Sequence, residues 1–393
     1  MKNGQYKNPK ILIFSPIFFP DIGGPAVQGK YLCELLIEHG YLVHVLKYSL
    51  ENSDELPITV QSLNWSSEPS TISRLYRWIF GPFLITYHLF RIRPNLVLVN
   101  SVFWNGMVLG LVCKVFKIPT VLKFTGDWVF ESTRKNKNLE VELKEIYSRN
   151  LISRIMYIIE KILISNFKVI WVISDFRRKN VDQLTNKPLI WLQNNFHDLP
   201  KFQQPIRERF KHPLVYVTTA RLVPHKRIDV IIRAISEVSD DSILIIIGEG
   251  SELENLKNVS TSLGVSKRVI FLGKITSHLL FQILSNSSAY ISWSAEEGAP
   301  NAFIEAMNFG LPIISARVGG IPDMFQSESL AAKLLEPDNP DGLIKFLKNL
   351  SKDSNLLQIM SRDALFESKK YTKATNQDNF LNLFSRLIVH SKF

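Results

Sequence analysis

The sequence predicts an α/β protein of two doubly wound domains, each a parallel sheet with helices on both faces. Three observations carry this. The chain has 393 residues, a length that suggests two domains. Short apolar runs alternate throughout with longer amphipathic stretches, as in a parallel sheet covered on both sides. The scheme then repeats after a polar, proline-bearing stretch, NNFHDLPKFQQPIRERFKHP.

In order, the first block reads as strands Ile11–Ser15, Leu42–Leu46, Leu96–Asn100, Thr120–Phe124, Val169–Ile173 and Leu189–Leu192. Helical patterns lie between them at Ala26–Glu38, Trp104–Val115 and Leu139–Ile164. The second block reads as strands Leu214–Thr218, Ile243–Ile247, Val269–Leu272, Ala289–Ser292 and Pro312–Ser315. Its helices fall near 227–238, 251–262, 276–285 and 301–309. A last helical pattern covers about Asn376 to Val389. The domains are therefore expected at 1–200 and 201–372, followed by a helical segment at 373–393. Doubly wound sheets bind ligands beyond the carboxyl ends of their strands, so two facing domains would share a cleft there.

Composition narrows the function. The chain is 46% hydrophobic and 21% charged, enough to bury a large core. Net charge is +11 and uneven: residues 1–200 hold 24 Lys+Arg against 16 Asp+Glu. A basic first half suggests an anionic partner: a phosphorylated substrate, an acidic membrane surface or nucleic acid. No zinc spacing, basic-aromatic RNA motif or recognition-helix pattern is present, which argues against nucleic acid. Cys33 and Cys113 each sit in an apolar helical pattern, as reduced thiols of a cytoplasmic protein would. No signal peptide or membrane-spanning apolar run is visible.

Four motifs fall where ligand loops are expected. In SPIFFPDIGGPAVQGK, Gly23 and Gly24 separate a strand from a helix. They read either as a backbone approach to a phosphate or as a plain tight turn. In TTARLVPHKRIDV, Arg221 and Lys226 follow a strand and lead into a helix. They are either solvated or a clamp for a diphosphate leaving group. The stretch EEGAPNAFIEAMNFGLPIISARVGG sets Glu297 on a loop and Glu305 on the next helix, with Asn301 as the expected cap. A carboxylate accepts two hydrogen bonds from a vicinal diol, so these acids suit a ribose and a hexose. The Ala299–Asn301 backbone at a helix start suits the phosphates between them. Two acids could also serve a glycoside hydrolase, but the cationic pair favours a phosphate leaving group. In FTGDWVFE, Asp127 follows a strand, either as a turn residue or as a site residue.

These motifs resemble family 4 of the retaining glycosyltransferases, which have the GT-B fold of two facing Rossmann-like domains. The resemblance runs over nearly the whole chain: FFPDIGGPAVQGKYLCELLIEHGYLVHVL, LQNNFHDL, ARLVPHKRIDVIIRAI, IIIGEGSELENLKNVSTSLGVSKRVIFLGKI and SAEEGAPNAFIEAMNFGLPIISARVGGIPDMF. It implies that Glu297 meets the donor sugar and Glu305 the nucleotide ribose, as the two acids of the family's E-x7-E motif. Arg221 and Lys226 would clamp the diphosphate. Gly23 and Gly24 would lie beside the phosphates and acceptor. Gly248, Gly298, Ala299, Pro300, Asn301 and Ala302 would complete the donor loops, and Lys274 or Ile275 would contact the base. The helix at 373–393 would pack back on the first domain. Two departures stand out. Gly126-Asp127 replaces a common His-Asp, and Asn194-Asn195-Phe196-His197 replaces an N-G-V-D turn.

The resemblance implies hexose transfer from a UDP- or GDP-linked sugar to an acceptor hydroxyl. The acceptor would be a glycan or a polyprenyl-linked sugar in surface polysaccharide or glycolipid synthesis. No D-x-D motif is present, so neither a metal nor a cofactor is expected beyond the nucleotide-sugar co-substrate. The alternatives are a non-catalytic GT-B nucleotide-sugar-binding protein and a nucleotide-sugar epimerase. Finally, TISRLYRWIFGPFLITYHLFRIRP brackets an aromatic run with Arg74, Arg77, Arg91 and Arg93. It is either a core helix or an interfacial helix on the inner face of the cytoplasmic membrane.

Overall fold

The computed structural model describes residues 8–19, 21, 23–48, 57–63, 71–126, 151–186, 188–200, 210, 213–238 and 241–389. They divide into two compact units: one runs to Phe196 and resumes at Lys373, the other is His197–Thr372.

The first unit is built on seven parallel strands: β1 (Lys10–Phe14), β2 (Leu42–Lys47), β3 (Thr59–Ser62), β4 (Leu96–Asn100), β5 (Thr120–Phe124), β6 (Val169–Val172) and β7 (Leu189–Leu192). Their order is β3-β2-β1-β4-β5-β6-β7, with the reversal of winding between β1 and β4. Helices α1 (Gly24–Glu38), α2 (Thr71–Ile92), α3 (Trp104–Val115), α4 (Leu151–Ile164) and α5 (Asp175–Leu184) connect them. Every residue of β4 and β5 is buried, as strands covered on both faces must be. Leu12, Phe14, Val97, Val99 and Leu122 pack with Ile85 and Leu89 of α2, Met107 and Cys113 of α3 and Leu163 of α4.

Another cluster forms around the last helix, α12 (Lys373–Val389). Its Phe380 meets Trp171 and Trp191 edge-on at 4.9 Å each and Phe196 at 5.2 Å. Beside it, Lys123 Nζ lies 3.9 Å from the Trp171 ring centre and donates to Asn195 Oδ1 at 2.7 Å. Burial pulls this ammonium down to about 7. Asn195 and Phe196 therefore pack within the first unit. Gln28 fastens Phe196 by accepting from its N–H and donating to its C=O.

The second unit has six parallel strands: β8 (Val215–Thr219), β9 (Ile243–Ile247), β10 (Val269–Gly273), β11 (Ala289–Ser292), β12 (Ile313–Ala316) and β13 (Ala332–Leu335). Their order is β10-β9-β8-β11-β12-β13, with the switch point between β8 and β11. Its helices are α6 (Ile228–Glu237), α7 (Leu253–Ser262), α8 (Ser277–Asn286), α9 (Asn301–Asn308), α10 (Pro340–Leu350) and α11 (Ser354–Ser368).

Most strands sit within a residue of where the apolar runs place them. Edge strands β3 and β13 escape the pattern because neither is fully buried and each is four residues long. Asn301 is not a cap: it is the first residue of α9. Pro300 occupies the cap position at φ −66°, and its ring offers no acceptor. Asp127 and residues 139–150 of the expected long helix lie outside the described residues.

Candidate functional site

The second unit gathers five loops at the carboxyl edge of its sheet. After β8 the chain runs through Arg221 into a short 3-10 turn, Pro224–Lys226, and Arg227 in the left-handed region (φ 46°) starts α6. After β11 it runs through Ser294, Glu297 and Gly298 into α9. Strands β8 and β11 are neighbours, so these two loops flank the switch point. The Ala295 N–H donates to the His225 carbonyl at 2.8 Å and joins them.

The other loops lock on. The Gly320 N–H donates to the Glu297 carbonyl at 2.9 Å, and the Gly248 N–H to the Gly273 carbonyl at 2.9 Å. Two glycines are obligatory here. Gly248 has φ 132°, and a Cβ there would sit 1.9 Å from the Ala220 carbonyl oxygen. Gly319 has φ 52°, and its Cβ would sit 2.1 Å from the Glu297 carbonyl oxygen.

At the centre the Lys226 ammonium is ion-paired with Glu297 Oε1. Ser294 Oγ donates to the same oxygen at 2.8 Å. The two charged side chains are only 19% and 15% exposed, so each partner lowers the desolvation cost of the other. Arg221 is exposed and makes no ion pair with another described residue, which leaves its guanidinium available to an anion. Four residues into α9, burial raises the Glu305 carboxyl to about 7. His197 Nδ1 lies 4.0 Å from Glu305 Oε1, beyond hydrogen-bond length.

Tyr290 of β11 fastens its strand to the end of β8. Its hydroxyl donates to the Thr219 carbonyl at 3.0 Å and accepts from the Thr219 N–H at 3.1 Å. Burial pushes this phenol up to about 12; the Thr219 bonds oppose the rise, and the charges of Glu297 and Glu305 add to it. One buried phenol thus senses both carboxyls.

The structure brings Arg221, Lys226, Gly248, Lys274, Ile275 and the run Glu297–Ala302 with Glu305 onto the loops and helix start of one sheet edge. The Lys274 N–H points at Glu249 Oε1, 3.4 Å away. Gly23 and Gly24 belong to the first unit, at its own switch point. There Asn100 Nδ2 on β4 donates to Ser15 Oγ at 3.1 Å and to the Pro25 carbonyl at 2.8 Å, pinning the glycine loop.

Ser294, Tyr290, Thr219 and His197 are additions that the motifs did not reveal. Ser294 had a faint signal, a hydroxyl between a strand end and an acid. The others contact the site only through strand register and chain crossing.

Two doubly wound parallel sheets, with a cation–carboxylate cluster at the second switch point, define the GT-B class of α/β proteins. Residues 201–365, most of the second unit, match the family model described as Glycosyl transferases group 1. Among curated proteins, the chain is 27% identical over 259 residues to an uncharacterized glycosyltransferase of Methanocaldococcus jannaschii, a match covering 61% of this chain and 60% of that one. It is 25% identical over 276 residues to the UDP-Gal:alpha-D-GlcNAc-diphosphoundecaprenol alpha-1,3-galactosyltransferase of Escherichia coli, covering 66% and 67%. Among solved structures, sucrose-phosphate synthase from Thermosynechococcus elongatus superposes with a TM-score of 0.81 at 15% identity, covering 98% of this chain and 100% of that one. Anabaena HepE in complex with UDP and glucose gives 0.74 at 17% identity, covering 96% and 100%.

Proposed function

We propose that this protein is a retaining glycosyltransferase that moves a hexose from a UDP- or GDP-linked sugar to an acceptor hydroxyl. The Lys226–Glu297–Ser294 cluster beside Glu305 carries the reading. It puts a cation, two diol-binding carboxyls and a helix start on one sheet edge. Lys226 and Arg221 hold the diphosphate and offset the charge that grows on it as the anomeric C–O bond breaks. The start of α9 adds its dipole. These cations take the role that a divalent metal plays elsewhere, so the reaction is metal-independent. Glu297 orients the sugar and Glu305 the ribose.

The acceptor oxygen attacks the same face of the anomeric carbon, and the departing phosphate takes its proton. No protein nucleophile is needed. Family 4 motifs support retention, and the structure of HepE with UDP and glucose supports the donor class. The acceptor is a glycan or polyprenyl-linked sugar of surface polysaccharide or glycolipid synthesis, in line with the printed activity of the Escherichia coli relative. Asp127, a further candidate of the site, lies outside the described residues.

The test is to incubate the purified chain with a panel of UDP- and GDP-sugars and measure released nucleotide, with and without acceptor. We expect one donor to be consumed faster with acceptor. Tight donor binding with no nucleotide release would leave a binding protein instead. Interconversion of the donor sugar would identify an epimerase.

A further inference from the structure

Helices α2, α3 and α4 pack side by side on one face of the first sheet, and their outward faces are apolar. On α2, Tyr76, Ile79, Phe80, Phe83, Tyr87 and Phe90 follow helical spacing along one side and are 46–72% exposed. The opposite side of α2 buries Ile85, Leu89 and Ile92. On α4, Leu151, Ile155, Ile158 and Ile162 form a second outward stripe, 48–71% exposed, while Leu163 and Ile164 face the core. The Phe90 ring meets Phe116, just past α3, edge-on at 4.7 Å, so the stripe continues from one helix to the next. A surface helix normally turns its apolar stripe inward only; these are apolar on both sides.

Charge decides what covers the face. Among the described side chains of the three helices the one acid is Glu160, which is fully buried. Apart from Arg154 in the first turn of α4, the exposed cations described on these helices gather at one end. Each helix leads into the next parallel strand, so all three end at the same edge of the sheet. Arg91 and Arg93, Lys114 and Lys117, and Lys161 and Lys168 collect there, all exposed. Lys114 Nζ donates to Asn166 Oδ1 at 3.0 Å and links the ends of α3 and α4. At the other end Trp78 and Trp104 stack at 5.1 Å, at the same sheet edge as the Gly23 loop.

We infer that this three-helix face docks on an anionic bilayer, with its aromatic and aliphatic stripes at the acyl boundary and its basic rim on lipid phosphates. Among the described residues no helix is long and apolar enough to cross a membrane, so the mode is interfacial. Aromatic rings and flanking cations suit the headgroup boundary, and an acid-free face suits negative lipid. The inference extends the proposed function, since a lipid-linked acceptor would meet the protein at that surface. Its physical basis is independent of the chemistry.

The test sediments the full chain with vesicles of phosphatidylcholine alone and of equal parts phosphatidylcholine and phosphatidylglycerol. We expect pelleting with the anionic vesicles, weakened about tenfold in high salt. The double variant Phe83→Glu with Ile155→Glu should partition at least about tenfold less, with unchanged far-UV circular dichroism and unchanged nucleotide release from soluble donor. Wild-type chain left in the supernatant, or a double variant that pellets equally, overturns the proposal. A dimer in light scattering that the double variant splits, without pelleting, would assign the face to a second copy and overturn it too. Nucleotide release is measured without vesicles, so its failure would count against the transferase reading alone.

Discussion

Glu305 offers a thermodynamic test that needs no substrate. Its carboxyl is raised from 4.5 to about 7 by burial. The unfolded chain ionises near 4.5, so between there and about 7 the folded state holds the extra proton. Stability then falls as pH rises through that window and levels off above it. At about 1.4 kcal/mol per pKa unit, this shift costs the folded protein about 3 kcal/mol at pH 8 and about 1 kcal/mol at pH 5. Glu305→Gln keeps the shape and removes the charge. It should raise Tm at pH 8 by roughly 6–12 °C, at 2–4 °C per kcal/mol for a domain of this size. At pH 5 the gain should shrink to a few degrees. Differential scanning calorimetry at both pH values measures this. Equal melting of wild type and variant at pH 8 would refute a desolvated carboxyl. The same variant should bind donor more weakly, because a neutral amide replaces a two-bond acceptor for the ribose diol. Gain of stability with loss of donor affinity is the signature of a residue kept for binding.

Three further outcomes follow. Arg221→Ala and Lys226→Ala should each lower turnover by roughly 10²–10³, and initial rates of nucleotide release near wild type in both would remove the diphosphate clamp. Gly248→Ala should destabilise the second unit by at least about 2 kcal/mol, because its Cβ would sit 1.9 Å from a backbone oxygen; an unchanged Tm would contradict the loop geometry. Phe380→Ala should cost the first unit about 3–5 kcal/mol, since the ring fills a cluster with Trp171, Trp191 and Phe196; urea unfolding followed by tryptophan fluorescence reads it directly.

The amino-acid sequence by itself determined the parallel architecture. Apolar runs such as LVLVN at 96–100 have no polar face to expose, so they must be interior strands, and the helices between them must lie on the sheet faces. It also placed Arg221, Lys226, Glu297 and Glu305 on loops or helix starts after strands, because those positions follow from period and punctuation alone. Tertiary structure decided what the spacing could not. Strand order set β8 beside β11, and only that brings Lys226 to Glu297, 71 positions apart in the chain. It also set Tyr290 against Thr219, and it covered most of the Glu305 side chain and so raised its proton affinity. Burial and long-range pairing are properties of packed surfaces, not of local sequence. The same holds for the segment around Phe83: its composition suits a core or a membrane, and the packing of α2 on α3 left that ring facing outward.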